Sequence, residues 1–296
     1  MTSLTRAAVA SLLRLALQED GASRDVTSRV LLSPKTRIRA RIVARTPGIL
    51  AGGRFAVWTF QTRDRSLRCV LKRADGAQLS RGDTILTVHG RARSIFAAER
   101  TALNLLMHLS GIATMTREFV RRTRGTHAKI YDTRKTLPGL RALEKYAVRV
   151  GGGRNHRSSL AEAILIKTNH LRAMVRGRTS HVARRKLMLN AMREAKQVRP
   201  RKFVEVEVTN LQEFRMALEA KPDAILLDNW VLNDIRKAVR IRHSALRTPH
   251  SALRLEVSGG VTLADVRAIA RTGVDRISIG HLTHSAPSLD LSLEII

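Results

Sequence analysis

The chain has 296 residues, enough to bury a sizeable core in one large domain or two of ordinary size. Its 54 lysines and arginines against 24 acids give a net charge of +30, which attracts polyanions from phosphorylated metabolites to nucleic acid. One cysteine, Cys69, excludes an intrachain disulfide and a cysteine-rich metal centre and suits a reducing cytosol; no apolar run is long enough to cross a bilayer, and 3% aromatic residues leave few stacking platforms for nucleic acid.

Met1 to Gln18 carries Arg6 and Arg14 without an acid, as organelle transit peptides do. Leu4, Ala8, Leu12, Leu15 and Leu17 nevertheless fit the apolar side of an amphipathic helix ended by Glu19-Asp20-Gly21. Thr36 to Val43 and Thr84 to Val88 are β-branched and alternating, with punctuation at Pro47-Gly48, Gly52-Gly53, Asp75-Gly76 and Arg81-Gly82-Asp83. That pattern predicts a small, largely antiparallel sheet with one or two helices. From Ala97 to about Arg122, Ala102, Leu105, Leu106, Leu109 and Ala113 recur at helical spacing and predict one long helix.

Beyond it strands and helices alternate. Lys129 to Tyr131, Ile164 to Lys167, Phe203 to Val208, Ala224 to Leu227, Leu253 to Val257 and Arg276 to Ile279 are short apolar or β-branched runs, with helical stretches such as Leu211 to Ala220 and Leu263 to Thr272 between them. The rhythm predicts a parallel sheet, and the number of repeats favours a closed barrel. The basic excess is spread along the chain, with eleven Lys or Arg and one acid from Arg172 to Lys202 and further runs at Arg37 to Arg45 and Arg236 to Arg254, so it reads as solvated surface. No helix-turn-helix, zinc-finger or RNA-binding signature accompanies it. The tandem His243-Ser-Ala-Leu-Arg247 and His250-Ser-Ala-Leu-Arg254 is too short for a repeat fold and reads as a local duplication in a surface loop or helix end.

In a barrel, the C-terminal strand tips carry the chemistry. Glu207 and Asp228 end adjacent strands one strand-helix period apart, and two acids on one rim can hold a hard divalent cation or a ribose diol; Asp228 alone would also serve as a helix cap. Ser258-Gly259-Gly260 and Gly280 lie where strand turns into helix, a place for phosphate. Arg134, Lys135, Arg157 and Lys167 cluster as an anion pocket, because guanidinium forks match carboxylates and phosphates. Lys167 alone would suit a Schiff-base nucleophile, but one anionic ligand explains all the cations together. His156 reads as an oxyanion hydrogen-bond donor and His170 as a supporting or packing residue; neither has the spacing of a metal site.

The ordered blocks extend along nearly the whole chain: Glu19-Asp20 with Asp25-Val-Thr27, Glu99-Arg-Thr-Ala-Leu-Asn104, Leu109-Ser-Gly-Ile-Ala-Thr114, Asp132-Thr-Arg-Lys-Thr-Leu-Pro-Gly-Leu-Arg141, Glu144-Lys-Tyr-Ala147, Gly151 to Gly153, Asn155-His-Arg157, Leu165-Ile-Lys167 with Asn169-His170, Glu205-Val-Glu207, Leu227-Asp-Asn229, Ser258-Gly-Gly260 and Gly280 with Leu282-Thr-His-Ser-Ala-Pro287. In this order they resemble the quinolinate phosphoribosyltransferase family.

The resemblance implies phosphoribosyl transfer from phosphoribosyl pyrophosphate to quinolinate with decarboxylation, a cytoplasmic step of NAD biosynthesis, on an α/β fold. It implies an open sandwich over 1–115 completed by 283–296, and an incomplete barrel of parallel strands over 116–282. Arg134, His156, Arg157 and Lys167 would then surround the quinolinate carboxylates, with Arg100 reaching in from a partner subunit of a homodimer or larger homo-oligomer. Lys135 would lie between the substrates. Glu207 and Asp228 would face the ribose and Mg2+, directly or through water, and Ser258, Gly259, Gly260, Gly280 and His284 would cradle phosphate. Lys135, Lys167, Glu207 and Asp228 are the expected catalytic set, with no membrane and no specific nucleic acid as partner. The molybdenum-transport-associated relatives of the same fold are the alternative within the family's reach, and a polyanion binder on an inherited fold is the alternative from another class. The chain departs from the family pattern at Ser158-Ser159 and Thr168, which predicts a loop of different shape beside quinolinate.

Overall fold

Thr5 opens the first helix by accepting the Ala8 N–H, and α1 (Arg6–Glu19) buries Val9, Leu13 and Leu17 at helical spacing. The computed structural model describes residues 4–175, 181–245 and 253–296. A short α2 (Val26–Leu31), capped by Asp25, leads into β1 (Arg37–Ala44) and β2 (Gly48–Ile49). The next helix, α3 (Gly53–Arg63), starts where the Asp75 carboxylate accepts the Gly52 and Gly53 N–H groups, and β3 (Arg68–Leu71), β4 (Gln78–Leu79) and β5 (Thr84–Arg91) follow. The long helix α4 (Ala92–Arg122) begins five residues earlier than its periodicity predicts. Among the described residues three helices precede it where the sequence suggested one or two.

The remaining elements in order are β6 (Lys129–Tyr131), α5 (Arg141–Val150), β7 (Ile164–Ile166), α6 (Thr168–Val175), α7 (His181–Gln197), β8 (Val204–Val208), α8 (Leu211–Ala220), β9 (Ala224–Asp228), α9 (Leu232–Ala245), β10 (Arg254–Ser258), α10 (Val266–Ala270), β11 (Arg276–Ser278), α11 (His281–His284) and β12 (Leu291–Ile295). All six strands expected between residues 129 and 279 are present. The helix expected over Leu263 to Thr272 is shorter, because Thr262 and Asp265 bond each other in the turn before it. The tandem at 243–254 falls largely on residues 246–252, outside the described residues.

Two compact units emerge. The first comprises 1–117, 136–152 and 281–296, and the second 118–135 and 153–280. In the first, an antiparallel sheet in the order β12-β1-β5-β3 packs Ala40, Ile42, Leu86 and Val88 against Phe60, Leu103 and Leu106. The C-terminal β12 pairs along β1 from Ala44↔Leu291 to Ala40↔Ile295. The segment 136–152 was expected with the barrel and groups instead with this unit. Its helix α5 buries Leu143, Ala147 and Val148, and Glu144, itself wholly buried, binds His108 of α4 at 2.9 Å.

The second unit is a six-stranded parallel sheet in the order β6-β11-β10-β9-β8-β7, an incomplete barrel rather than the closed one the repeat number favoured, because β6 and β7 remain edges; the β6 side carries a single bridge from Tyr131 to Arg154. Strand β8 reads Val-Glu-Val-Glu-Val, and Val204, Val206 and Val208 are buried on one face while Glu205 and Glu207 alternate onto the other. Register places Glu207 beside Leu226, Leu226 beside Glu256, and Asp228 beside Ser258. One face of the sheet thus gathers acids and hydroxyls toward a common end. No helix among the described residues is long and apolar enough to cross a membrane.

Candidate active site

A cavity of about 590 Å³ opens in the second unit, lined by tips of successive strands. Arg134 and Lys135 follow β6, Arg157 lies on the segment before β7, and Lys167 follows β7; all four line it. Glu207 of β8, Asp228 of β9, Ser258 at the end of β10 and Gly259 and Gly260 after it complete the other side of the same wall.

Local hydrogen bonds explain how these side chains are held. Asp132, fully buried at the end of β6, accepts the His156 N–H at 2.8 Å and the Asn155 side-chain amide, pinning the 155–157 turn. The Arg157 guanidinium donates to the Ala163 carbonyl at 2.8 Å. Burial, and after it the like charge of Arg134, makes Arg157 easier to deprotonate than an ordinary guanidinium, with Glu205 opposing.

Glu207 accepts the Thr168 N–H at 3.2 Å and stands 3.9 Å from the Lys167 ammonium. The Lys167 N–H donates to His170 Nδ1 at 2.9 Å, so His170 shapes the turn that presents Lys167. Thr168 Oγ1, at the start of α6, is buried with no hydrogen-bond partner among the described residues, and the Ser158 N–H donates to Glu162 in the segment before β7. At the β9 and β10 tips, Asn229 N–H donates to the Ser258 carbonyl at 2.9 Å. Gly259, at φ +93°, allows this approach: a Cβ there would stand 2.2 Å from Asn229 Oδ1.

Not every expected residue joins the cavity in the expected way. His156 was expected to donate to an oxyanion, but its Nδ1 accepts the Arg157 N–H at 2.8 Å and its Nε2 lies 2.9 Å from Glu205, so both ring nitrogens already serve the protein. Arg100 is exposed on α4 and His284 on α11, both in the first unit, where the His284 ring lies 5.0 Å from that of His281. Gly280 follows β11 and is not among the lining residues.

Other lining residues were given no role from the sequence: Glu256 and Ser278, and Asn169 and Asn229, which stand in the ordered blocks. No local signal marks Glu256, because Leu255-Glu-Val-Ser258 alternates as a half-exposed strand would. Among the described residues, the group of three potential metal donors within 4.8 Å of one another is His156, Glu205 and Glu256, not Glu207 and Asp228. Burial raises the carboxyl pKa of both Glu205 and Glu256; Glu205 raises that of Glu256 further, and Arg276 pulls both back.

Residues 25–110 match the model of the quinolinate phosphoribosyl transferase N-terminal domain, and residues 112–294 match that of its C-terminal domain. The chain belongs to the quinolinate phosphoribosyltransferase family. It is 41% identical over 286 residues to the carboxylating nicotinate-nucleotide pyrophosphorylase of Mycobacterium leprae, covering 96% of this chain and 95% of that protein. It is 40% identical over 278 residues to a probable enzyme of the same name from Bacillus subtilis, covering 94% and 90%. The solved nicotinate-nucleotide pyrophosphorylase of Francisella tularensis superposes with a TM-score of 0.87 at 37% identity, covering 99% of this chain and 98% of that one. Membership of the quinolinate phosphoribosyltransferase family thus spans both compact units.

Proposed function

We propose that this chain transfers the phosphoribosyl group of phosphoribosyl pyrophosphate to the ring nitrogen of quinolinate, with loss of the 2-carboxylate, giving nicotinate mononucleotide, pyrophosphate and CO2 in de novo NAD biosynthesis. The observation that carries this reading is the meeting of Arg134, Arg157 and Lys167 with Glu207 and Asp228 in one cavity. A pyridine dicarboxylate needs several fixed cations, and a ribosyl centre that loses pyrophosphate needs anions nearby.

Arg134 and Arg157 pair with the ring carboxylates, and Lys167 adds a point charge. Lys135 neutralises pyrophosphate between the substrates. As the C1′–oxygen bond breaks and the nitrogen–C1′ bond forms, the carboxylates of Glu207 and Asp228 stabilise the positive charge that develops on the ribose. The bond from C2 to its carboxylate then breaks, the electron pair stays beside the cationic ring nitrogen, and a solvent proton replaces CO2. The ring is its own electron sink, so the side chains contribute by holding its orientation.

Glu207 and Asp228 offer two hard oxygen donors on one rim, which fits magnesium, an ion that takes one or two carboxylates together with substrate phosphates and water. When bound, it supplies the double positive charge that offsets the leaving pyrophosphate. Ser258, Gly259 and Gly260 suit the phosphate cradle, with Gly280 as a further member. We place the enzyme in the cytoplasm as a homodimer or larger homo-oligomer, with exposed Arg100 serving a neighbouring subunit's acceptor.

Incubation with quinolinate, phosphoribosyl pyrophosphate and Mg2+, with products resolved by chromatography, tests the reading. Nicotinate mononucleotide and CO2 in equal amounts are expected. Folded protein that forms neither would overturn it.

A further inference from the structure

His156 stands in a thin wall. One side is the cavity of about 590 Å³, and a second cavity of about 290 Å³ is also lined by His156 and Arg157, together with Tyr131, Phe203 and Arg276. Open volume lies next to the residue in two places, and its ring is held by hydrogen bonds at both nitrogens.

Those bonds form a directional chain. Nδ1 accepts the Arg157 N–H at 2.8 Å, so the proton of the neutral ring is on Nε2. Nε2 then donates to Glu205 at 2.9 Å, with a Glu256 oxygen 3.4 Å away. Glu205 is 1% exposed and Glu256 fully buried. The Ser278 hydroxyl donates to Glu256, and the Arg276 guanidinium lies 3.6 Å from it, seated between the rings of Tyr131 and Phe203 at 4.9 and 4.8 Å. Arg276 therefore places a permanent positive charge beside the two carboxylates, of which Glu205 Oε1 and Glu256 Oε2 have no hydrogen-bond partner among the described residues. The histidine ring is the link from this cluster to the Arg157 backbone.

We infer that Glu205 and Glu256 are positioning residues that act through the His156 ring to hold Arg157 at the cavity wall. The inference rests on the reading of Arg157 as a ligand of a quinolinate carboxylate. It assigns work to Glu205, which does not line the cavity, and to Glu256, which does, and it gives His156 the role of strut. Displacing a binding group by about 1 Å costs on the order of 100-fold in rate, so the strut has measurable consequences.

The test is a double-mutant cycle on the full chain, read as KM for each substrate. Glu256→Ala and His156→Ala should each raise KM for quinolinate by about 10-fold or more, with KM for phosphoribosyl pyrophosphate little changed. The double variant should be no worse than His156→Ala alone, because Glu256 acts through that ring. Glu256→Gln, which keeps the shape and an acceptor oxygen, should restore the wild-type KM. Additive losses, or losses shared equally between both substrates, overturn the inference. If the alanine variants do not fold, the 15N spectrum of the wild-type His156 ring decides: a proton on Nε2 supports the chain of bonds, and a proton on Nδ1 breaks it. Wild-type protein that makes no nicotinate mononucleotide would instead remove the functional reading, while active wild-type with an additive cycle removes only this inference.

Discussion

Arg134 and Arg157 share one cavity, and the charge of the first, added to burial, lowers the pKa of the second. Holding two guanidiniums together opposes folding of the empty protein and favours entry of a dianion. Arg134→Ala should therefore leave thermal stability unchanged or slightly raised while kcat/KM for quinolinate falls by about 100-fold, the equivalent of about 3 kcal/mol for a truncated charge pair. Thermal unfolding and steady-state kinetics on the same preparation check both halves. A variant that loses stability and keeps its kcat/KM contradicts the argument. The glycine pair makes a second contrast. Gly259→Ala would force a methyl within 2.2 Å of Asn229 Oδ1 and 2.9 Å of its backbone nitrogen, whereas Gly260, at φ +59°, faces open space. The second substitution carries only the left-handed backbone cost of about 1–2 kcal/mol. Measured KM for phosphoribosyl pyrophosphate should rise markedly more for Gly259→Ala than for Gly260→Ala, and equal effects would show that the contact between the β9 and β10 tips is not what matters.

At the scale of elements, α4 and the C-terminal segment meet closely. A Cβ on Gly111 would stand 2.1 Å from the Pro287 carbonyl oxygen and 3.0 Å from its carbon, both backbone atoms that no rotamer change can move. Alanine gains about 1 kcal/mol of helix propensity over glycine, while overpacking against fixed atoms costs about 1–3 kcal/mol. The packing cost wins, so Gly111→Ala should lower the unfolding midpoint in denaturant; a raised midpoint would mean that the segment can retreat. The same scale shows what local pattern carries. The strands of the second unit were legible because β-branched residues alternate in short runs, as in β8, and α8 was placed at both ends because Asn210 caps it and its apolar spacing stops at Ala220. Helix α5 was not assigned to its unit, because strand-helix rhythm treats each intervening helix as part of the barrel. Its membership is decided by buried Leu143, Ala147 and Val148 and by the Glu144–His108 pair, which spans 36 positions of sequence.

Across the whole molecule, the positive groups at strand tips were visible as a cluster of cations and glycines, but the interior acids were not. An acid alternating with valine reads as solvent-facing, and only the near-closure of six strands turns Glu205 and Glu256 inward to full burial. The same alternation hid the partner of His156, which was therefore assigned to the ligand. The net charge of +30 is a property of the surface as much as of the site. It should make the protein adhere to duplex DNA at about 50 mM salt and release it by about 200 mM, since binding through phosphates alone weakens steeply with salt. Sequence-selective retention at the higher salt, measured by competition, would contradict that view and favour a nucleic-acid role. The measurement that bears most directly on the central claim is a crystal structure with quinolinate bound. The account predicts both ring carboxylates within about 3 Å of guanidinium or ammonium nitrogens of Arg134, Arg157 and Lys167, with the pyridine nitrogen facing the Glu207 and Asp228 side of the cavity. Quinolinate seated elsewhere, or these three side chains turned away from it, would contradict the account.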